Sequence, residues 1–231
     1  MSNHRKPMQA RSRKTYELLL AAAETLLEEV GVERISSNLI VQRANLTSPA
    51  FYRYFDDKYA LIEVLAERLI QRQNEALLRW IDRYRDAGYD VLVDHIEDLV
   101  REMDAITCQQ PGAIWIMRAL RAVPSLAHIR LASHHFVTDL MTDVYMPYLP
   151  GVPRDLVRRR TRLAVEIAYS VDEMLKEDGG VRDEVFEDLT YIFRSLYYHP
   201  DLARSPPMPA VAAPTGQTSP LNASRTSPDL S

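Results

Sequence analysis

The sequence predicts an all-α fold, for three reasons. Apolar residues recur three and four apart over almost every stretch from residue 11 to residue 198, the period of helices with one buried face. Prolines and glycines stand at the boundaries of those stretches, where breaks are expected. No stretch shows a convincing strand pattern, and there are no internal repeats.

The first helix should cover residues 11–30, with Leu19, Ala22, Ala23, Leu26, Leu27 and Val30 on one side and Gly31 as the stop. Ser36 is an N-cap for a short helix carrying Leu39, Ile40 and Val41. Ala44-Asn45-Leu46 breaks that helix, because Asn tolerates the left-handed backbone of a sharp turn. Thr47 is the next N-cap, and Pro49 sits in a first turn, where a missing N–H costs nothing. Phe51 and Phe55 are four apart and can pack inward together. Ser48, Ala50, Tyr52, Arg53 and Tyr54 are then left to reach outward. A short helix with hydroxyls, an arginine and a small residue suits the major groove. Arg reads guanine or grips phosphate, hydroxyls bond phosphate oxygens, and small side chains allow close approach.

Asp56-Asp57 caps a long helix over residues 58–84, about 40 Å at ~1.5 Å per residue. It would run from the head of the molecule into the rest. Further amphipathic helices are expected over residues 90–108, from Pro111 to about residue 122, and from a Ser125 cap to residue 145. Pro147, Pro150, Gly151 and Pro153 mark a loop. Two more helices follow, over residues 155–177 and 182–198, with Gly179-Gly180 between them. The last has a broad apolar arc, which suggests cover from outside the monomer. Residues 200–231 contain seven of the fourteen prolines, with Ser, Thr and Ala, and read as a disordered tail.

The stretch from Ala22-Ala23, Leu26-Leu27 and Gly31 through Ser36, Ile40, Ala44 and Leu46-Thr47 to Phe51-Tyr52-Arg53-Tyr54-Phe55 and Lys58 resembles the TetR family of bacterial transcriptional regulators. The resemblance covers about residues 12–65, and the Tyr-Arg-Tyr-Phe ending followed by Lys is its most specific part. Asn45 stands where the family usually has Gly, Val41 where it has Ala, and Ala50 where Thr is common. The resemblance implies a three-helix DNA-binding head on residues 1–56 with a basic arm. It implies a helical ligand-binding and dimerisation domain on residues 57–199. Ser36, Thr47, Ser48, Pro49, Ala50, Tyr52, Arg53, Tyr54 and Lys58 are the expected DNA-binding residues. Thr47, Ser48 and Ala50 would lie nearest the bases, and Tyr52, Arg53 and Lys58 would work mainly on phosphate.

Net charge is −4, but residues 1–58 hold 9 Lys and Arg against 7 Asp and Glu. Five of those bases, Arg5, Lys6, Arg11, Arg13 and Lys14, precede the first acid, Glu17. Such an arm can meet phosphate or be a solvated leader. There is one cysteine, Cys108, which suits a reducing cytoplasm. No apolar run is long enough to span a membrane, and no signal-peptide pattern opens the chain.

Several enzyme signatures are missing. No Glu-x-x-His spacing suits a di-iron bundle, and the seven glycines form no phosphate loop. His134 and His135 are adjacent, so on a helix they diverge by about 100° and cannot share a metal. They read as packing or surface residues. Arg158-Arg159-Arg160 with Arg162 reads as a solvated, ion-paired face. Neither a metal nor a cofactor is expected.

The resemblance implies a homodimeric repressor, released from a near-palindromic double-stranded DNA operator by a small, largely apolar effector. The alternatives are a helical interaction module with a vestigial head, and an all-α enzyme of the terpenoid-synthase type, whose acidic Mg²⁺ cluster is missing. The expected dimer interface is Leu163, Ile167, Val171, Phe186, Leu189, Phe193 and Leu196. A Met- and aromatic-rich stripe is usually plain core, but the resemblance implies a ligand cavity among these helices, and Met103, Ile106, Trp115, Met117, Arg118, Phe136 and Met141 are its expected, adaptable lining.

Overall fold

The structure, a computed structural model, describes residues 10–178 and 182–197. Arg5, Lys6, the Gly179-Gly180 break and the tail from residue 200 lie outside the described residues. The described chain is all-α. Its elements are α1 (Ala10–Arg34), α2 (Ser37–Arg43), α3 (Ser48–Tyr52), α4 (Lys58–Tyr84), α5 (Tyr89–Asp94), α6 (Ile96–Cys108), α7 (Ala113–Ala122), α8 (Ala127–Tyr145), a 3-10 turn Met146–Tyr148, α9 (Arg154–Asp178) and α10 (Arg182–Tyr197).

The punctuation residues explain the head. Gly31 breaks α1 with φ 73°, and a short second helical piece continues to Arg34. Ser36 caps α2 by accepting from the Leu39 N–H at 3.3 Å. Asn45 makes the turn with φ 52°, the sole positive φ of a non-glycine residue among those described. Thr47 has the extended backbone of an N-cap, but its hydroxyl makes no capping bond. Pro49 lies in the first turn of α3. Asp57 caps α4 by accepting from the Ala60 N–H at 2.8 Å.

Two helices depart from the expected spans. The helix expected over residues 90–108 is two helices, bent at His95. The indole N–H of Trp80 donates to the His95 carbonyl at 2.8 Å, so the carbonyl at the bend keeps a partner. The helix expected to start at Ser125 starts at Ala127, with no side-chain cap.

Two apolar clusters organise the chain. The first joins α1, α2, α3 and the start of α4 to Ile116, Ala119 and Leu120 of α7 and to Leu126 and Ile129. The head therefore shares its core with elements far along the sequence. The second holds the lower half of α4 with α5, α6, α8, α9 and α10.

The joint between head and body is a close approach at two glycines. Gly112 has φ 69°, and a Cβ there would sit 2.7 Å from Leu27 Cβ and 2.9 Å from the Glu24 carbonyl oxygen. The ring of Trp115 covers Gly31, where a Cβ would meet it at 3.1 Å. The start of α7 is thus seated on α1 as closely as backbone permits. We expect Gly112→Ala to destabilise the protein by about 2 kcal/mol or more, from strained backbone plus overpacking. Thermal unfolding followed by circular dichroism should show Tm lower by roughly 4–8 °C. An unchanged Tm would mean the joint is looser than this geometry.

Candidate nucleic-acid interface and ligand cavity

The outward face of α3 is a by-product of what it buries. Phe51 and Phe55 are fully buried, their ring centroids 5.5 Å apart. Phe55 also stacks on Tyr16 of α1 at 5.1 Å. Thr47, Ser48, Pro49, Tyr52 and Arg53 are then exposed and Ala50 is half-buried. The Tyr52 hydroxyl lies 3.2 Å from the Ser37 hydroxyl of α2, so the two helices present a continuous polar edge. Arg53 has no ion-pair partner among the described residues, whereas Arg43 is committed to both oxygens of Glu29 at 2.9 and 2.5 Å. That bond holds the Glu29 carboxyl below its usual pKa range.

Two expected DNA-binding residues are placed otherwise. Tyr54 is 5% exposed and packs edge-on against Tyr16 at 5.6 Å. Three residues on from Phe51, it falls on the same inward side. Lys58 is turned back on the protein, donating through Nζ to the carbonyls of Val32 at 2.9 Å and Ile35 at 3.0 Å. It collects orphan carbonyls at the end of α1, so its position serves the head's closure. Ser36 is half-buried and spends its hydroxyl on the α2 cap. Of the basic arm, Arg11, Arg13 and Lys14 form part of α1 itself.

A cavity of about 110 Å³ lies between α4, α6, α8, α9 and α10. Its wall is mostly apolar, with Leu77, Leu99, Met103, Met141, Phe186 and Phe193 contributing. A smaller recess of about 30 Å³ adjoins it behind α7, lined in part by Met117, Leu120, Arg121, Arg130 and His134. Gln73 and Tyr169 line both.

The sequence found part of this cavity. Met103 and Met141 line it, and Met117 lines the recess. Ile106 lines neither. Phe136 is 44% exposed on the outer side of α8. Trp115 is spent on Gly31, and Arg118 lies over the Trp115 ring and pairs with Glu173 and Glu177. Helical period alone could not tell which side of each helix meets the cavity. Thr161, Ala164, Val165 and Ala168 of α9 went unrecognised as cavity wall. The small residues among them leave the space, and that run was the available signal.

The expected dimer residues also divide. Phe186, Leu189 and Phe193 are buried within the subunit, and Phe186 and Phe193 face the cavity. The broad arc of α10 therefore has an internal cover. Ile167, Val171 and Leu196 pack half-buried on the second cluster. Leu163 is 55% exposed.

Charged groups sit at one end of the cavity and beside the recess. At that end, Asp104 and Asp172 meet Lys176, and Arg182 also bonds Asp104. Burial pushes the Asp172 carboxyl up to about 6 despite Lys176. Beside the recess, His134 Nδ1 lies 2.9 Å from Glu166 and its ring stacks on Tyr169 at 4.2 Å. Burial holds the His134 pKa down against the pull of Glu166, which keeps the ring neutral at pH 7. No grouping of three or more His, Cys, Asp or Glu suited to a metal occurs among the described residues. None of their helices is long and apolar enough to cross a membrane.

Comparison with known proteins agrees with this geometry. Residues 19–65 match the family model described as bacterial regulatory proteins, tetR family. The chain is 40% identical over 55 residues to YvdT of Bacillus subtilis (strain 168), an uncharacterized HTH-type transcriptional regulator. That match spans 24% of this chain and 28% of YvdT. Among solved structures, a TetR-family regulator from Streptomyces coelicolor is 23% identical, with TM-score 0.54, covering 79% of this chain and 96% of that one. NalD, the secondary repressor of the MexAB-OprM multidrug efflux pump in Pseudomonas aeruginosa, is 20% identical with TM-score 0.60, covering 80% and 96%. The chain thus carries on residues 19–65 the head of the TetR family of bacterial regulatory proteins, and over about four fifths of its length it shares the fold of solved TetR-family structures.

Proposed function

We propose that the protein acts as a homodimeric repressor, released from a near-palindromic operator by a small, largely apolar ligand. The observation that carries the DNA-binding part is the face of α3. Burying Phe51 and Phe55 leaves Ser48, Pro49, Tyr52 and Arg53 exposed together, on a helix short enough to enter a major groove. Thr47, Ser48 and Ala50 are nearest the bases in this reading, with Tyr52 and Arg53 on phosphate.

The dimer reading draws on large apolar residues that the subunit leaves uncovered on its last two helices. Leu163 and Met174, the latter 40% exposed, are eleven residues apart and so share one side of α9. Tyr191 is 74% and Ile192 42% exposed on α10. A two-fold contact through these helices would present two heads to two half-sites.

Release follows from which elements touch the cavity. Gln73 and Leu77, midway along α4, line it, and the first turn of the same helix holds the α1 carbonyls through Lys58. Met117 and Leu120 of α7 line the recess, and Trp115 one turn away covers Gly31 of the head. A ligand that prefers one placement of α4 and α7 would alter the spacing of the two heads. Operator affinity would fall by the ligand's differential affinity for the two states, and DNA would weaken ligand binding equally. Coupling on the order of 1–3 kcal/mol is typical.

Two outcomes check this function. Arg53→Ala should weaken binding to operator and to unrelated DNA similarly, and lower the salt slope by about one. Fluorescence anisotropy against DNA upstream of the protein's own gene measures both, and unchanged affinity with an unchanged slope would place Arg53 off the DNA. Tyr191→Glu combined with Leu163→Glu buries two charges in the proposed interface, and each unpaired charge there is strongly unfavourable. Light scattering at micromolar concentration should find dimers for the parent chain and monomers for the variant. A monomeric parent chain would refute the dimer.

A further inference from the structure

The two charged groups differ in what they leave unbonded. At the Asp104 end, two carboxylates meet two cations, and each carboxylate is bonded. Beside the recess, which Arg130 and His134 line, one carboxylate serves three bases. Glu166 Oε1 lies 2.5 Å from Arg162, 2.9 Å from His134 and 3.8 Å from Arg130. Even so, Arg130 Nε and Arg162 Nη1 are buried with no hydrogen-bond partner. The neighbouring Arg121 is already committed to Glu173 at 3.0 Å. With His134 held neutral by burial, the group formed by Arg130, Arg162 and Glu166 carries one positive charge that no described ion pair offsets.

A buried guanidinium N–H without an acceptor is unfavourable, and an anion is the partner such a fork fits best. The buried acceptors without a partner, Glu63 Oε2 and the Tyr145 hydroxyl, belong to residues that line neither space. The volumes agree with this division of roles. At ~10–15 Å³ per small group, the larger cavity takes on the order of ten non-hydrogen atoms and the recess two or three. Three atoms make a carboxylate. Gln73 and Tyr169 belong to both walls, so the two spaces are direct neighbours, and a molecule filling both would pass between these side chains.

We propose that the cavity takes an amphipathic anion, with an apolar tail of roughly ten non-hydrogen atoms among Leu77, Met103, Met141 and Phe193 and a carboxylate in the recess held by Arg130. The anionic head lies against Met117 and Leu120 of α7, the helix seated on the head through Gly112 and Trp115. This deepens the effector reading, and rests on it only for the consequence for DNA.

The test is calorimetric titration of the full chain with decanoate, 1-decanol and decylamine, each below its aggregation limit. Decanoate should bind about tenfold or more tighter than decanol, and decylamine weakest. Arg130→Gln should bring decanoate to the decanol level while leaving decanol unchanged. Decanol binding also reports that the variant is folded, and the head-group series on the unaltered protein stands without it. Equal affinity for decanoate and decanol, or tightest binding of decylamine, overturns the anion site and leaves an apolar cavity. Binding of none of the three overturns both. Decanoate that binds through Arg130 but leaves operator affinity unchanged supports the site and refutes release by this ligand.

Discussion

A helix of five residues has no stability of its own in water, since nucleation costs more than its few hydrogen bonds return. Helix α3 exists because Phe51 and Phe55 are packed out of solvent, against each other and against Tyr16 of α1. Full burial of each ring is worth about 1.5–3 kcal/mol in transfer alone, with more from the stacked and edge-on geometry. Those anchors fix the rotation of α3 about its axis. They thereby choose which residues are left outside, so the polar face of the head is set from within. The same rule removes Tyr54, which shares the buried side.

The head is not closed by its own three helices. Its cluster includes Ile116, Ala119 and Leu120 of α7 and Leu126 and Ile129 beyond it. At the seam, two glycines replace side chains with backbone contact. Close-packed seams of this kind move as units and do not absorb displacement gradually. A shift of α7 is therefore felt at Gly31, six residues before Ser37 of the polar edge that it forms with Tyr52. Helix α4 supplies a second connection, anchored by Lys58 under the end of α1. The surface pair that crosses the same boundary, Arg68 with Glu17, is exposed and contributes little by comparison.

In the body, a run of small residues goes unrecognised along the sequence and a broad apolar arc finds an internal cover. Thr161, Ala164, Val165 and Ala168 give α9 a shallow face, and Phe186 and Phe193 of α10 reach across the space it leaves. The arc that looked like an outer contact is thus the wall of an internal cavity. The charges around it are arranged unequally, with balance at one end and a surplus of guanidinium beside the recess. Burial magnifies that difference, because groups out of water have no solvent to complete their bonding.

Much of the head was legible along the chain. Ser36, Asn45, Pro49 and Asp57 act through their immediate neighbours, and Gly31 through its own backbone, so their effects follow from local chemistry. The four-residue spacing of Phe51 and Phe55 is local in the same sense. The all-α class and the order of the helices also follow from period and punctuation alone, apart from the bend at His95, which depends on Trp80 fifteen residues away. What only the tertiary structure decided is which side of each body helix faces another helix, a cavity or solvent. The apolar residues of α6, α8 and α10 satisfy one period whichever partner covers them. Lys58 likewise reads as a free cation until the end of α1, more than twenty residues earlier, is brought to it. The unbonded nitrogens of Arg130 and Arg162 exist only once α8 and α9 meet around Glu166, since pairing and burial belong to the assembled packing and to no single stretch of sequence.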